Sequence, residues 1–160
     1  MQGATTGELD DRQVESLLHE ETVARIAYVD RRGSPYIVPI TYAYDGESFF
    51  GYSPDGSKLE GMRHHPHVCV EVDRVRDAAD WQSVVALGRF EELRGDAAVD
   101  ALRRISERLT TVASAYVVPD AARRSYVARL GAPGIAYRIR IERKSGRFAR
   151  SEPYGSTSVI

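Results

Sequence analysis

One stretch of nine residues carries most of the chemistry legible in this chain: Tyr52-Ser-Pro-Asp-Gly-Ser-Lys-Leu-Glu60. An extended segment ends there, a turn of Pro54, Asp55 and Gly56 follows, and a helix is expected to open on Ser57 and Lys58. The first backbone N–H groups of a helix lack an intrahelical acceptor, and with the positive end of the helix dipole they favour an anion. Lys58 falls in the first turn, where a cation opposes that dipole. An anion between the lysine and the helix end would remove the conflict, and the hydroxyls of Ser53 and Ser57 would add donors. A phosphate monoester is the chemistry such a site takes. The same residues also describe an ordinary strand–turn–helix with a surface lysine, and spacing alone does not separate the two.

Other constellations are weaker. His64, His65 and His67 flank Pro66, but no second half completes a metal set, so they read as surface histidines. Neutral imidazole can ligate haem, which keeps one alternative open. Cys69 is the only cysteine, so no intrachain disulfide forms. Within His67-Val-Cys-Val-Glu-Val-Asp73 it reads as a small buried residue rather than a nucleophile. No G-x-S-x-G, P-loop or G-x-G-x-x-G motif is present. Arg103, Arg104, Arg123 and Arg124 are interleaved with acids and read as solvated helix faces.

Bulk properties narrow the classes. The 160 residues fit one domain, with 42% apolar and 28% charged residues. A net charge of −1 gives no global electrostatic case for nucleic acid or an anionic membrane. No run of about 20 apolar residues spans a bilayer. The first residues have no basic start followed by an apolar stretch, so the expected compartment is the cytoplasm.

The elements that position the candidate site follow from periodicity. Residues 1–7 are expected to be loose. Asp10 or Asp11 caps a helix carrying Val14, Leu17 and Leu18 on one face. Val23–Val29 is a strand closed by Asp30-Arg-Arg-Gly33, and Pro35–Tyr44 is the next. Asp45-Gly46 joins it to Ser48–Tyr52 as a hairpin, so these three strands form an antiparallel meander. Ser57-Lys-Leu-Glu60 reads as a capping box, and the helix stops by His65 because Pro66 follows. His67–Asp73 is a fourth strand, Arg74–Asp80 a charged loop, and Trp81–Leu93 a long fifth strand with a bulge or bend at Gly88. Gly95-Asp96 opens a helix with Val99, Leu102, Ile105 and Leu109 on one face. A shorter helix from Pro119-Asp120 reaches Leu130, and Ile135–Arg143 is the last strand. The segment from Gly146 onward shows no usable period. The expectation is mainly β with flanking helices: one domain over residues 8–148, a tail over 149–160, and six antiparallel strands closing into a barrel.

Four segments together carry a resemblance. They are Pro35-Tyr-Ile-Val-Pro-Ile-Thr-Tyr-Ala-Tyr-Asp-Gly46, Phe49-Phe-Gly-Tyr-Ser-Pro-Asp-Gly-Ser-Lys58, Met62-Arg-His-His-Pro-His-Val-Cys-Val-Glu-Val-Asp73 and Trp81-Gln-Ser-Val-Val-Ala-Leu-Gly-Arg89. The chain resembles the flavin-binding split barrels related to pyridoxamine 5′-phosphate oxidase, in the branch that includes nitroimidazole-resistance proteins. The resemblance implies FMN in a cleft between two barrels of a homodimer. It implies Val38, Pro39, Ile40 and Thr41 along the isoalloxazine, largely through backbone groups, and Lys58 with Ser57 and Ser53 on the phosphate. Ser83 falls near the flavin or its ribityl chain, and Tyr52 or Trp81 near the ring. An FMN-dependent oxidoreductase follows, passing electrons from a reduced nicotinamide to a small nitroaromatic or quinone-like acceptor. No catalytic side chain is assigned. The alternative is a non-catalytic carrier of flavin, haem or the deazaflavin cofactor F420. Two departures matter: Gly51 stands where nitroimidazole-resistance proteins carry a histidine, and Tyr137–Arg150 holds no tryptophan, so vitamin B6 oxidation is not expected.

Overall fold

The computed structural model describes residues 4–115 and 133–151. Asp10 caps α1 (Asp11–Glu20): its carboxylate accepts the Gln13 N–H at 2.8 Å, and the Gln13 side chain accepts the Asp10 N–H at 2.9 Å. Two such reciprocal bonds satisfy donors that a helix end leaves over. The chain then runs through β2 (Val23–Val29), β3 (Pro35–Thr41), β4 (Ala43–Tyr44) and β5 (Ser48–Ser53) into α2 (Ser57–His64). β6 (His67–Asp77), β7 (Asp80–Glu92), α3 (Gly95–Ala115) and β8 (Ile135–Ser151) follow, while β1 (Ala4–Glu8) precedes α1. Gly33 (φ 86°) and Gly46 (φ 99°) turn the β2–β3 and β4–β5 hairpins in a region other residues rarely adopt.

The sheet order is β3-β2-β6-β7-β8-β5-β4, antiparallel throughout. Its two ends, β3 and β4, are consecutive in the chain, so the ring closes covalently through Tyr42. That residue is fully buried, and its hydroxyl donates to the Leu18 carbonyl at 2.8 Å. Inside lie Ala24, Ile26, Val70, Val72, Val84, Ala86, Phe49 and Ile139, with Leu17 and Leu18 from α1 and Leu59 and Met62 from α2. Burial of these aliphatic side chains, at about 25 cal/mol per Å², contributes most to holding the ring together. α3 packs outside, where Ala101 and Ile105 meet Ala43, Phe50 and Ala136.

The split-barrel expectation holds, with eight strands in place of six. One extra strand arises because Pro35–Tyr44 breaks at Tyr42, where its pairing passes from β2 to β5. The other is β1, from the expected loose N-terminus, paired with β8 from Ala4↔Ser151 to Glu8↔Arg147. β8 therefore runs past Arg143 and takes in the start of the expected tail. The expected loop Arg74–Asp80 is mostly strand, since β6 and β7 extend to a tight turn. The bulge at Gly88 is present: Leu87 pairs with Arg143 but Gly88 with Ile141, leaving Glu142 as the extra residue. A Cβ at Gly88 would lie 2.5 Å from the Arg140 carbonyl oxygen, so only glycine fits that corner. On α3 the packed side is Ala98, Ala101, Ile105 and Leu109, while Val99 is 66% exposed. The expected helix from Pro119 to Leu130 lies outside the described residues.

Candidate functional site

The ring is closed by covalent continuity rather than by pairing along its full height. β3 pairs with β2 alone, and β5 meets β4 only at Ala43↔Phe50 and Tyr44↔Phe49. The outer edge of β3 has no strand partner among the described residues, while β5 from Gly51 to Ser53 pairs with β8. Backbone groups on that edge of β3 are open to a ligand or to water. α2 begins four residues after β5 ends, so Ser57 and Lys58 follow directly on this split.

Three contacts fix α2 there. Gly61 packs on β2, where an added Cβ would meet the Val29 carbonyl oxygen at 2.8 Å, so the helix can approach only without a side chain. Arg31, in the β2–β3 turn, donates to Glu60 at 2.9 Å. Arg63 spans Asp55 at 2.8 Å and Glu92 at 2.9 Å, tying the turn before α2 to the end of β7. These carboxylates hold the Arg63 guanidinium well above its ordinary value, the bond to Glu92 being the largest cause. Arg31, Asp55, Gly61 and Arg63 were not singled out from sequence, although a glycine in mid-helix was a usable signal.

The capping box expected at Ser57 and Glu60 does not form. Gly56 is the N-cap, no side chain caps the helix, and Glu60 is drawn to Arg31. The helix start therefore keeps its N–H groups free of a side-chain cap, which is the condition an anion needs. Lys58 is half-buried and makes no ion pair with a described residue. Burial pushes its ammonium below the ordinary lysine value, with no compensating carboxylate. A partly buried cation without a counter-ion, at an uncapped helix start, fits a bound phosphate.

The other predicted residues distribute as follows. Val38 and Ile40 turn toward the barrel interior, whereas Pro39 and Thr41 alternate to the outer side, so the four share a surface only through their backbone. The buried Ser53 hydroxyl turns back on the Pro54 carbonyl at 3.1 Å. Ser57 is exposed, and Tyr52 is half-buried. Ser83 and Trp81 do not reach the split within one chain. Ser83 lies on β7, three strands from β3, or roughly 14 Å at the usual strand spacing. It donates to Glu71 at 2.8 Å, and Arg25 links Glu71 (3.3 Å) to Asp73. Trp81 pairs with Val75 near the far hairpin.

The space of the missing histidine has an owner. A Cβ on Gly51 would run into the ring of the buried Tyr137. His64 and His65 stack edge to face at 4.8 Å, while His67 lies 3.3 Å from Arg89 and 3.9 Å from Glu142. Among the described residues no group of His, Cys, Asp and Glu is placed to hold a metal. Cys69 is only partly buried, on the outer side of β6, with burial pushing its thiol up. It lines an apolar groove of about 360 Å³ with Ala27, Val29, Pro35 and Leu87. No helix among the described residues is long and apolar enough to cross a membrane.

Comparison with known proteins agrees with this architecture. An FAD-binding protein from Mesorhizobium loti is 32% identical, with a TM-score of 0.71 over 93% of this chain and 100% of that one. A 5-nitroimidazole antibiotic resistance protein from Bacteroides thetaiotaomicron, so described provisionally, is 19% identical and shares the fold, with a TM-score of 0.70 over 92% of this chain and 90% of that one. The uncharacterised protein RA0666 of Rhizobium meliloti is 41% identical over 71 residues, 44% of this chain and 46% of its own length, so this chain matches about half of that relative. The family model described as pyridoxamine 5′-phosphate oxidase matches residues 10–148, and the chain belongs to that family.

Proposed function

We propose that the chain binds FMN along the split, its phosphate held by Lys58, Ser57 and the first N–H groups of α2. The observation that carries this reading is Lys58, half-buried and without a counter-ion among the described residues, at a helix start with no side-chain cap. A charge-assisted contact there is worth on the order of 1–3 kcal/mol. The outer edge of β3, without a strand partner among the described residues, offers backbone donors and acceptors at fixed heights, which suits the polar rim of an isoalloxazine. Bound flavin supplies hydride and electron transfer. The residues of this chain bind and orient it, and no side chain at the split is assigned as acid or base. The reading extends to an oxidoreductase that takes electrons from a reduced nicotinamide and passes them to a nitroaromatic or quinone-like acceptor. Vitamin B6 oxidation is not part of it, since Tyr137–Arg150 holds no tryptophan.

A homodimer belongs to the same proposal. The outer face of β3, β2, β6 and β7 presents Ile37 at 63% exposure and Val85 at 40%, joined through Ala27, Cys69 and Leu87 of the apolar groove, with the Arg25, Glu71 and Asp73 charges beside them. A contiguous apolar sheet face of this kind marks an interface. A second copy seated on it would bring Ser83 of the partner subunit toward the split, which Ser83 cannot reach within one chain. C₂ symmetry is the common solution.

The test is a visible spectrum of the purified protein, then titration of wild type and Lys58→Ala with FMN, FAD and riboflavin. Flavin binding that needs the phosphate and weakens in Lys58→Ala supports the site. Riboflavin binding as well as FMN, or an unchanged Lys58→Ala, removes it. A Soret band or deazaflavin absorbance in place of flavin bands would replace FMN with haem or F420. Light scattering that finds only a species near 17.8 kDa would sink the dimer.

A further inference from the structure

At the opposite end of the barrel from Lys58, the β6–β7 hairpin and the end of β8 enclose a second polar cleft. It measures about 350 Å³ and is lined by Arg74, Arg76, Asp80, Gln82, Arg150 and Ser151. That volume lies at the low end of small-molecule sites, which run roughly 300–1,000 Å³. From His67, beside α2, to Arg74 is seven residues of strand, roughly 23 Å at 3.3 Å each. The cleft is therefore separate from the split within one chain.

The three arginines are not equivalent. Arg74 is held by Glu21 at 2.7 Å and Glu20 at 2.8 Å, both at the end of α1. Arg76 pairs with Asp80 at 3.2 Å across the hairpin. The Arg150 guanidinium lies over the Phe148 ring at 4.8 Å and pairs with no carboxylate among the described residues. Stacking occupies the face of a guanidinium and leaves its in-plane N–H donors available. The carboxylates on Arg74 and Arg76 orient those two side chains and hold them in place. Glu20, Glu21 and Asp80 balance the three arginines in number, but Arg150 is the one guanidinium with no carboxylate of its own among the described residues, and the Gln82 amide and the Ser151 hydroxyl lie beside it as neutral donors.

We infer that this cleft is a second anion site, built for a phosphorylated small molecule or a free polyphosphate. Guanidinium groups arriving from two strands and a hairpin match the several oxygens of a phosphate better than the two oxygens of a carboxylate. The inference does not rest on flavin binding, because none of its residues belongs to the split.

The experiment is calorimetric titration of the full chain with inorganic pyrophosphate and with adenosine 5′-diphosphate, at constant ionic strength set by sodium chloride. Wild type, Lys58→Ala, and Lys58→Ala with Arg150→Gln or Arg76→Gln added are compared, with thermal melts to confirm folding. We expect saturable binding that persists in Lys58→Ala and, in that background where the split offers no phosphate site, falls about tenfold on adding Arg150→Gln and less on adding Arg76→Gln. The tighter of the two probes tells whether a nucleotide or inorganic phosphate is the source. Binding in the Lys58→Ala background that Arg150→Gln leaves unweakened, or no binding in that background at all, overturns the site. Absence of saturable binding by either probe does the same.

Discussion

The chain has twenty arginines and two lysines, and the two lysines mark opposite conditions at the two ends of β5. Lys144 sits by the β4–β5 hairpin, where it donates to Glu15 and, at 2.8 Å, to the Tyr44 hydroxyl, while Tyr44 donates to Glu15 at 3.0 Å. Burial alone would lower its ammonium, but the bonds to Glu15 and Tyr44 carry it above the ordinary value. Lys58, beyond the other end, is lowered by burial, with no carboxylate among the described residues to offset it. One lysine closes a corner between α1, the hairpin and β8, and its chemistry is spent within the fold. The other is half-buried with no ion-pair partner among the described residues, the condition on which the proposed phosphate contact rests. Partial burial says little alone; what separates structure from site is whether the group's partners are already present.

The largest expected effect tests the strand between them. Gly51→His is expected to cost about 3 kcal/mol of stability, because Tyr137 fills the space and overpacking of this size strains the core. Urea unfolding measures it, and adding Tyr137→Ala should recover part of the loss. A stable Gly51→His would mean that the family's histidine position is open here. Next, Lys58→Ala should weaken FMN by about 1–3 kcal/mol, measured by fluorescence titration. Lys144→Ala should leave that affinity unchanged. Equal losses in both variants would erase the distinction between the lysines. On stability the order inverts: Lys144→Met should cost about 1–2 kcal/mol, since it removes the ammonium that donates to Glu15 and Tyr44 and leaves the Glu15 carboxylate only the Tyr44 hydroxyl of that pair. Lys58→Met should leave the ligand-free protein unchanged or raise its stability by up to about 1 kcal/mol.

Much of this was legible where side chains record the fold. Val23–Val29, the Asp45-Gly46 hairpin and the glycine at 88 announce themselves by alternation and by turn chemistry. β1 and the Arg74–Asp77 stretch do not, because they run past the rim with mostly exposed side chains, and the end of β8 does not because the residues it buries there, Gly146 and Ala149, are too small to show a period. The helix cap misled for a related reason: Ser57 and Glu60 have the right spacing, but Arg31, twenty-nine residues from Glu60, takes the carboxylate. Lys58 was visible as a cation in the wrong turn of a helix. Its lack of a partner was not visible, since that depends on everything packed around it. The basic cleft was hidden too, because Arg74, Arg76 and Arg150 meet only through the register of β6, β7 and β8.

The smallest effect separates the lysines by the sign of a pH dependence. Lys58 titrates lower in the folded chain than its ordinary 10.5, so between its folded value and 10.5 the unfolded chain binds the extra proton and stability rises with pH. Lys144 titrates higher than 10.5, so its contribution is complete below that value and is lost as pH rises above it. Other groups titrate in this range, so the test is a difference: urea midpoints of wild type minus Lys58→Met, and wild type minus Lys144→Met, from pH 8 upward. The first difference should climb toward zero as pH approaches 10.5, and the second should shrink only beyond it. FMN bound at Lys58 should flatten the first difference, because a phosphate returns the proton to the lysine. If FMN leaves that slope unchanged, the phosphate is not at Lys58.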